Sequence, residues 1–161
     1  MRQTHLFQQG FTQQELLDAG LLVHNTDKNS VYDAYRGRVI FPIVGTNGRV
    51  LGFGARVMND DKPKYINTGD TPIYNKRNNL YGLHLQKGRR CDDLVMVEGY
   101  TDVIGLFEAG VTNAVASLGT ALTVQQARLL KRYTQLVYIA YDGDAAGQKA
   151  ALRALDILEP A

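Results

Sequence analysis

An α/β fold in two parts, a small basic α+β subdomain followed by a Rossmann-like parallel sheet flanked by helices, is predicted by three features of this 161-residue chain. First, two apolar runs, Leu94-Val95-Met96-Val97 and Leu136-Val137-Tyr138-Ile139-Ala140-Tyr141, each stop at acidic residues. Both have the composition of buried parallel strands. Second, strand and helix patterns alternate three times from about residue 92, as a parallel sheet with right-handed crossovers requires. Third, charge is split along the chain. Residues 1–90 hold 13 Lys and Arg against 7 Asp and Glu, a net of +6, whereas residues 91–161 hold 5 against 9, a net of −4. A polyanion lying across the first part and a metal held by the second would account for that asymmetry, as would ordinary surface variation.

Each element has a local signature. Thr12-Gln13-Gln14-Glu15 is a capping box ahead of Leu16, Leu17 and Ala19, with Gly20 as the stop, so a short helix is expected over 12–19. Residues 35–43 form an apolar strand whose Pro42 places it at a sheet edge or a bulge. Thr46-Asn47-Gly48-Arg49 is a hairpin turn, because Asn-Gly tolerates positive φ, and 50–57 is the return strand. Residues 58–79, rich in Asn, Asp, Pro, Lys and Thr, read as a loop. Strands are expected at 94–97, 113–117 and 135–140, with helices near 102–109, 123–133 and 145–158. The division expected is 1–91 for the basic subdomain and 92–161 for the parallel sheet.

Composition narrows the chemistry. Apolar residues make up 45% and charged residues 21%, enough for a core and for solubility. No apolar run approaches the ~20 residues that span a bilayer, and the start, Met1-Arg2-Gln3-Thr4-His5, lacks the apolar stretch of a signal peptide. A cytosolic protein without a membrane partner is expected. Cys91 is the single cysteine, which excludes an internal disulfide and a thiolate zinc cluster. His5, His24 and His84 sit at no metal-ligand spacing and read as structural or exposed. Carboxylates at strand ends, where open α/β sheets bind ligands, with no thiolate or imidazole beside them, suit a hard cation such as Mg²⁺.

The acidic segments Val97-Glu98-Gly99-Tyr100-Thr101-Asp102 and Tyr141-Asp142-Gly143-Asp144-Ala145-Ala146-Gly147 resemble the TOPRIM fold of bacterial DnaG-type primases. TOPRIM is shared with topoisomerases, some nucleases and recombination-repair proteins, so the upstream half carries the narrower resemblance. Arg36-Gly37-Arg38-Val39-Ile40-Phe41-Pro42-Ile43, Gly52-Phe53-Gly54-Ala55-Arg56-Val57, Pro63-Lys64-Tyr65-Ile66-Asn67 and Leu80-Tyr81-Gly82-Leu83 are similar to the primase's basic subdomain. Ser117-Leu118-Gly119-Thr120 adds a match within the TOPRIM part, and the resemblance runs from Phe11 to Ala154.

The resemblance implies a DNA-directed RNA polymerase that makes short RNA primers from ribonucleoside triphosphates on a single-stranded DNA template, using Mg²⁺ or Mn²⁺, in the bacterial cytoplasm. It implies further parts outside this chain: a zinc-binding module before Met1, then another Asp-x-Asp element, a helical subdomain and a helicase-contacting domain after Ala161. The chain alone would then be an inactive middle slice, with zinc held only elsewhere.

Residue roles follow from that resemblance. Glu98 and Asp142 lie 44 positions apart, yet both end strands of one sheet, and Asp144 lies two residues on, with Gly143 letting the chain turn. Glu98, Asp142 and Asp144 are assigned as metal ligands; a general acid or base role for Glu98 stays open. The plain structural alternative for either Asp is capping the helix that starts near Ala145. Asp102 caps its own helix or orients the Glu98 loop. Among the cations Arg38, Arg56, Lys64, Lys76 and Arg77, the resemblance favours Arg56, Lys64 and Lys76 for nucleotide or primer–template phosphates, with Arg38 as a further candidate and Asn67 as a polar companion. Lys28, Lys62, Lys87, Arg89 and Arg90 read as a solvated face. Tyr65, Tyr74 and Tyr81 could stack on bases, although each alone is better explained by packing. Gly52 and Gly54 lack the third glycine of a dinucleotide fingerprint and mark a bulge or close backbone approach. Gly119 and Thr120 stand at a turn whose N–H groups could meet a phosphate. Two other readings are a cleaving TOPRIM enzyme and a non-catalytic nucleic-acid-binding module.

Overall fold

The computed structural model describes residues 3–88 and 91–160, so Arg89 and Arg90 of the expected solvated face lie outside the described residues. Two compact units emerge: residues 1–43 with 51–74, and residues 44–50 with 75–161.

The first unit opens with helix α1 (Gln3–Gln8) and helix α2 (Gln13–Asp18). The capping box at α2 is complete. Thr12 N–H donates to Glu15 Oε2 at 2.7 Å and Glu15 N–H donates to Thr12 Oγ1 at 3.2 Å. The Thr12 backbone bond first, and its hydroxyl second, hold the Glu15 carboxyl below its usual range. A hairpin that the sequence did not announce follows, β1 (Leu22–Asn25) paired antiparallel with β2 (Ser30–Asp33). Only Leu22 of its eight residues is buried, so no alternation marks it.

Strand β3 (Arg38–Val44) starts three residues later than expected, because Gly37 at φ 65° turns the chain first. It is an edge of the sheet β3-β4-β5, the position where a strand tolerates Pro42. The Asn-Gly turn forms, with Gly48 at φ 83° and Asn47 Oδ1 accepting from Arg49 N–H. Strand β4 (Val50–Val57) has the expected bounds.

The expected loop at 58–79 is more structured than its composition suggests. It contains strand β5 (Tyr65–Asn67), antiparallel to β4 with Arg56 opposite Tyr65, and a 3₁₀ turn at Lys76–Asn78. The organising residue is Thr68, which is almost fully buried. Its Oγ1 accepts from Phe53 N–H at 2.8 Å and shares a 2.6 Å hydrogen bond with the Tyr35 hydroxyl. A Cβ on Gly52 would lie 3.0 Å from that oxygen and 3.3 Å from the Tyr74 ring, the close approach expected there. Thr68→Val keeps the shape but strips two part-buried groups of this partner. At ~1–3 kcal/mol per orphaned group, denaturant unfolding of the variant should show a loss of about 2 kcal/mol.

The second unit carries the parallel sheet, in the order β7-β6-β8. Its strands are β6 (Leu94–Val97), β7 (Ala114–Ala116) and β8 (Val137–Ile139), with helices α3 (Tyr100–Glu108), α4 (Val124–Leu130) and α5 (Ala145–Leu158). Leu94, Met96, Val115 and Leu130 fill the core with Leu80, Leu83, Leu122 and Ala154. Leu80 and Leu83 lie before residue 91 in sequence, and residues 75–88 fall in this second unit. Tyr81 bridges Ala116 through both backbone groups and lines the outer edge of β7.

Two helix bounds shift for local reasons. α3 begins at Tyr100, since Asp102 is its third residue and reaches back to the cap. α4 stops at Leu130, where the chain turns and Thr134 Oγ1 donates to the Asp92 carbonyl at 2.8 Å. A larger correction concerns β8. Its run was expected to be buried, yet Tyr138 is 53% and Leu136 46% exposed. β8 is an edge, and among the described residues no strand lies beyond it. No described helix is long and apolar enough to cross a membrane.

Candidate metal and nucleic-acid site

The acidic ends of β6 and β8 meet because the two strands run side by side in register, from Leu94 opposite Val137 to Met96 opposite Ile139. A further ladder bond, Ala140 N–H to Met96 O at 2.8 Å, carries the pairing past the last residue of β8. Glu98 then follows directly on β6, and its Oε1 accepts the Asp142 N–H at 3.1 Å. Residues 44 positions apart in sequence are thereby hydrogen-bonded.

The neighbouring acids are held by helix ends. Asp102 Oδ2 accepts Gly99 N–H at 2.9 Å, so capping α3 and fixing the Glu98 loop are one and the same bond. Asp144 is the N-cap of α5, its Oδ1 accepting Gly147 N–H at 2.7 Å. The capping alternative for Asp144 is therefore realised. A cap occupies one of two carboxylate oxygens, which leaves the other for a cation. Asp142 and Asp144 are exposed and Glu98 is half-buried. Burial, and then the Glu98 charge, raise the Tyr141 phenol above its usual value. Gly143 does not adopt a left-handed backbone and faces open space, so the turn there does not demand glycine.

These contacts join Glu98 to the Asp142 backbone without gathering three carboxylates into a cage. Among the described residues, no group of three or more His, Cys, Asp or Glu side chains stands ready to hold a metal. The donor chemistry nevertheless fits Mg²⁺, which takes one or two carboxylates plus substrate phosphates and retains several waters.

Of the basic and polar candidates, Arg38, Arg56, Lys64 and Asn67 lie in the first unit and Lys76 in the second. Arg56 and Lys64 both stand over the Tyr65 ring, 5.7 and 5.8 Å from its centroid. Arg56 is half-buried, with its Nε buried and without a hydrogen-bond partner. Arg38 is committed locally, donating from Nη1 to the Pro63 carbonyl at 2.8 Å. Asn67 is half-buried on β5 opposite Gly54. Lys28, Lys62 and Lys87 are exposed as expected. Of the three tyrosines, Tyr74 is fully buried and Tyr81 tilts against Tyr100 at 5.6 Å, while Tyr65 is 40% exposed. Gly119 takes φ 71°, and the Thr120 hydroxyl beside it is buried without a hydrogen-bond partner.

Two residues that the sequence reading left without a role emerge here. Gln126 is fully buried and donates from Nε2 to the Lys76 and Asn79 carbonyls at 3.0 and 2.8 Å, fastening the segment that bears Lys76 onto α4. Its signal was the capping box Thr123-Val124-Gln125-Gln126. Gly147 is the other; it sits against Asp142, Asp144 and Glu98.

The family described as DNA primase catalytic core, N-terminal domain, matches residues 2–87, more than half of the chain, and the Toprim domain family matches residues 92–161. The chain belongs to the DnaG-type DNA primase family. A DNA primase of Clostridium acetobutylicum is 52% identical over 153 residues, covering 94% of this chain and 25% of that primase. A solved DnaG primase catalytic domain bound to ssDNA superposes with a TM-score of 0.87 at 45% identity, covering 96% of this chain and 50% of that one. The Aquifex aeolicus primase, solved with its zinc-binding and RNA polymerase domains, gives a TM-score of 0.86 at 40% identity, covering 96% of this chain and 39% of that one. The chain thus spans about a quarter of the length of the curated primases it matches. Toprim domains and primase catalytic cores generally use divalent metals.

Proposed function

We propose that this chain is the central part of the RNA polymerase region of a DNA primase, which makes RNA primers on single-stranded DNA from ribonucleoside triphosphates in the cytoplasm. The observation that carries the reading is the Glu98–Asp142 hydrogen bond at the paired ends of β6 and β8, in a chain of this family. Residues 1–91 serve as the basic part and 92–161 as the Toprim part. Glu98, Asp142 and Asp144 would hold Mg²⁺ or Mn²⁺, which supplies charge neutralisation and in-line orientation of the phosphates. Asp102 keeps the Glu98 loop in place. Arg56, Lys64 and Lys76 bind phosphates of the nucleotide or of the primer–template, Arg38 shapes the loop that carries Lys64, and Asn67 adds a polar contact. Tyr65, over whose ring Arg56 and Lys64 stand, groups these two cations at one place beside β5. Zinc and the replicative helicase belong to parts of the primase outside this chain.

Primer synthesis by the complete protein tests the reading: it should require Mg²⁺ or Mn²⁺ and disappear with Glu98→Gln. Cleavage of DNA without synthesis would mark another class of Toprim enzyme, and metal-independent binding indifferent to Glu98 would mark a binding module. The basic part has its own test. Lys64→Ala and Arg56→Ala should each weaken single-strand binding and make the log–log salt slope shallower by about 0.7 per lost phosphate contact. Unchanged binding constants and slopes in both variants would assign these residues to a solvated face.

A further inference from the structure

All three proposed metal-binding acids touch one residue that has no side chain. Gly147, buried in the first turn of α5, donates its N–H to Asp144 Oδ1 at 2.7 Å. A Cβ built on it would stand 2.9 Å from Glu98 Oε1 and 2.9 Å from the Asp142 carbonyl carbon, and nearer still to the Asp142 carbonyl oxygen. The obstruction is mostly backbone, which cannot swing aside as a flexible side chain can. Gly143 in the same loop would meet nothing within 4 Å. The demand for glycine is therefore specific to position 147.

We infer that Gly147 is a positioning residue: the space left by its missing side chain is what lets the Glu98 carboxylate reach the Asp142 N–H and seats the Asp142 peptide against α5. This rests on the metal reading above only for its consequence, not for the geometry. A methyl group at 147 must displace the Asp142 peptide or the Glu98 carboxylate, and either movement breaks the 3.1 Å bond between them. The Asp144 cap acts through the Gly147 N–H, which alanine also possesses, so the helix start need not be lost.

Amide hydrogen exchange on this 161-residue chain, without metal, reads the geometry directly. Gly147→Ala should speed exchange at the Asp142 amide about fivefold or more, the effect of losing one net hydrogen bond, while Gly143→Ala should leave it as in the unsubstituted chain. Equal protection at Asp142 in Gly147→Ala and the unsubstituted chain overturns the inference. Should Gly147→Ala fail to fold, Glu98→Ala supplies the second reading. Faster exchange at the Asp142 amide in that folded variant supports the bond on which the inference depends, and unchanged exchange overturns it.

Mn²⁺ titration separates this inference from the metal reading. Positioning groups behind metal ligands are commonly worth 10- to 100-fold in affinity, so Gly147→Ala should weaken Mn²⁺ by roughly tenfold with its melting transition retained. If the unsubstituted chain binds Mn²⁺ and folded Gly147→Ala binds it equally well, the inference fails and the metal reading stands. If neither the complete primase nor its Gly147→Ala form binds Mn²⁺ yet the exchange result holds, the metal reading fails and the positioning role stands.

Discussion

Asp142→Asn and Asp144→Asn, placed one at a time in the complete primase, should each abolish primer synthesis while the fold persists. Asparagine is the informative replacement because it separates the cap that Asp144 makes from the charge proposed for the metal. The asparagine side-chain oxygen still accepts the Gly147 N–H that Asp144 takes at 2.7 Å, and asparagine ranks with aspartate as an N-cap. What disappears is one negative charge, and with it the electrostatic hold proposed for a divalent cation. Loss of a charged ligand at a metal-assisted phosphoryl-transfer centre removes transition-state stabilisation that neither positioning nor phosphate-binding lysines replace. A primer assay at millimolar Mg²⁺, run beside circular dichroism of the same preparations, checks both halves. Normal synthesis by both variants would end the assignment of these carboxylates to the metal.

Gly82→Ala should produce a large loss of stability. Gly82 takes φ 82°, where a side chain is strained. An added Cβ would lie 2.8 Å from the Ala114 carbonyl oxygen and 3.0 Å from Val103 Cγ1. The residue lies between Tyr81, which bridges to Ala116, and Leu83, which is buried in the core. Strained backbone costs ~1–3 kcal/mol and forced overpacking a similar amount, so a loss of about 2–5 kcal/mol is expected. Urea or thermal unfolding of the 161-residue chain measures it, and a change below about 0.5 kcal/mol, the range of neutral surface substitutions, would refute the packing described for this turn.

Much of the second unit was legible because its signals are strong and mutually consistent. Continuous apolar runs, Gly110 after α3 and the acidic stop after β8 each specify an element boundary without help from distant residues. The side of β8 that faces away from β6 was not legible, since an apolar run does not say whether a neighbouring strand will cover it. The first unit is less legible. The β1–β2 hairpin buries little, so its sequence carries neither alternation nor an Asn-Gly turn. β5 hides in a polar stretch because what secures it is one buried hydroxyl, Thr68, bonded to Phe53 and Tyr35 from outside the segment.

The site shows the same division between local and distant information. Acid placement followed from strand ends, which sequence marks. That Arg38 is tied to the Pro63 carbonyl and that Gln126 fastens the Lys76 segment depends on partners 25 to 50 residues away, which no local pattern encodes. The need for glycine at 147 is of this kind too. It comes from the Asp142 peptide and the Glu98 carboxylate closing on the same small volume.

Among the described residues, the side of β8 that faces away from β6 carries no neighbouring strand. An edge strand offers a row of backbone donors and acceptors to any extended chain that comes alongside, and folded proteins commonly blunt such edges with charge, proline or a bulge. Here the strand itself is Val137-Tyr138-Ile139, which carries none of these, and the exposed Leu136 adjoins it. On α5 of the same unit, Leu152 and Leu155 are 65% and 45% exposed. An extended segment laid along β8 would meet there the same backbone geometry that pairs this strand with β6 on its other side.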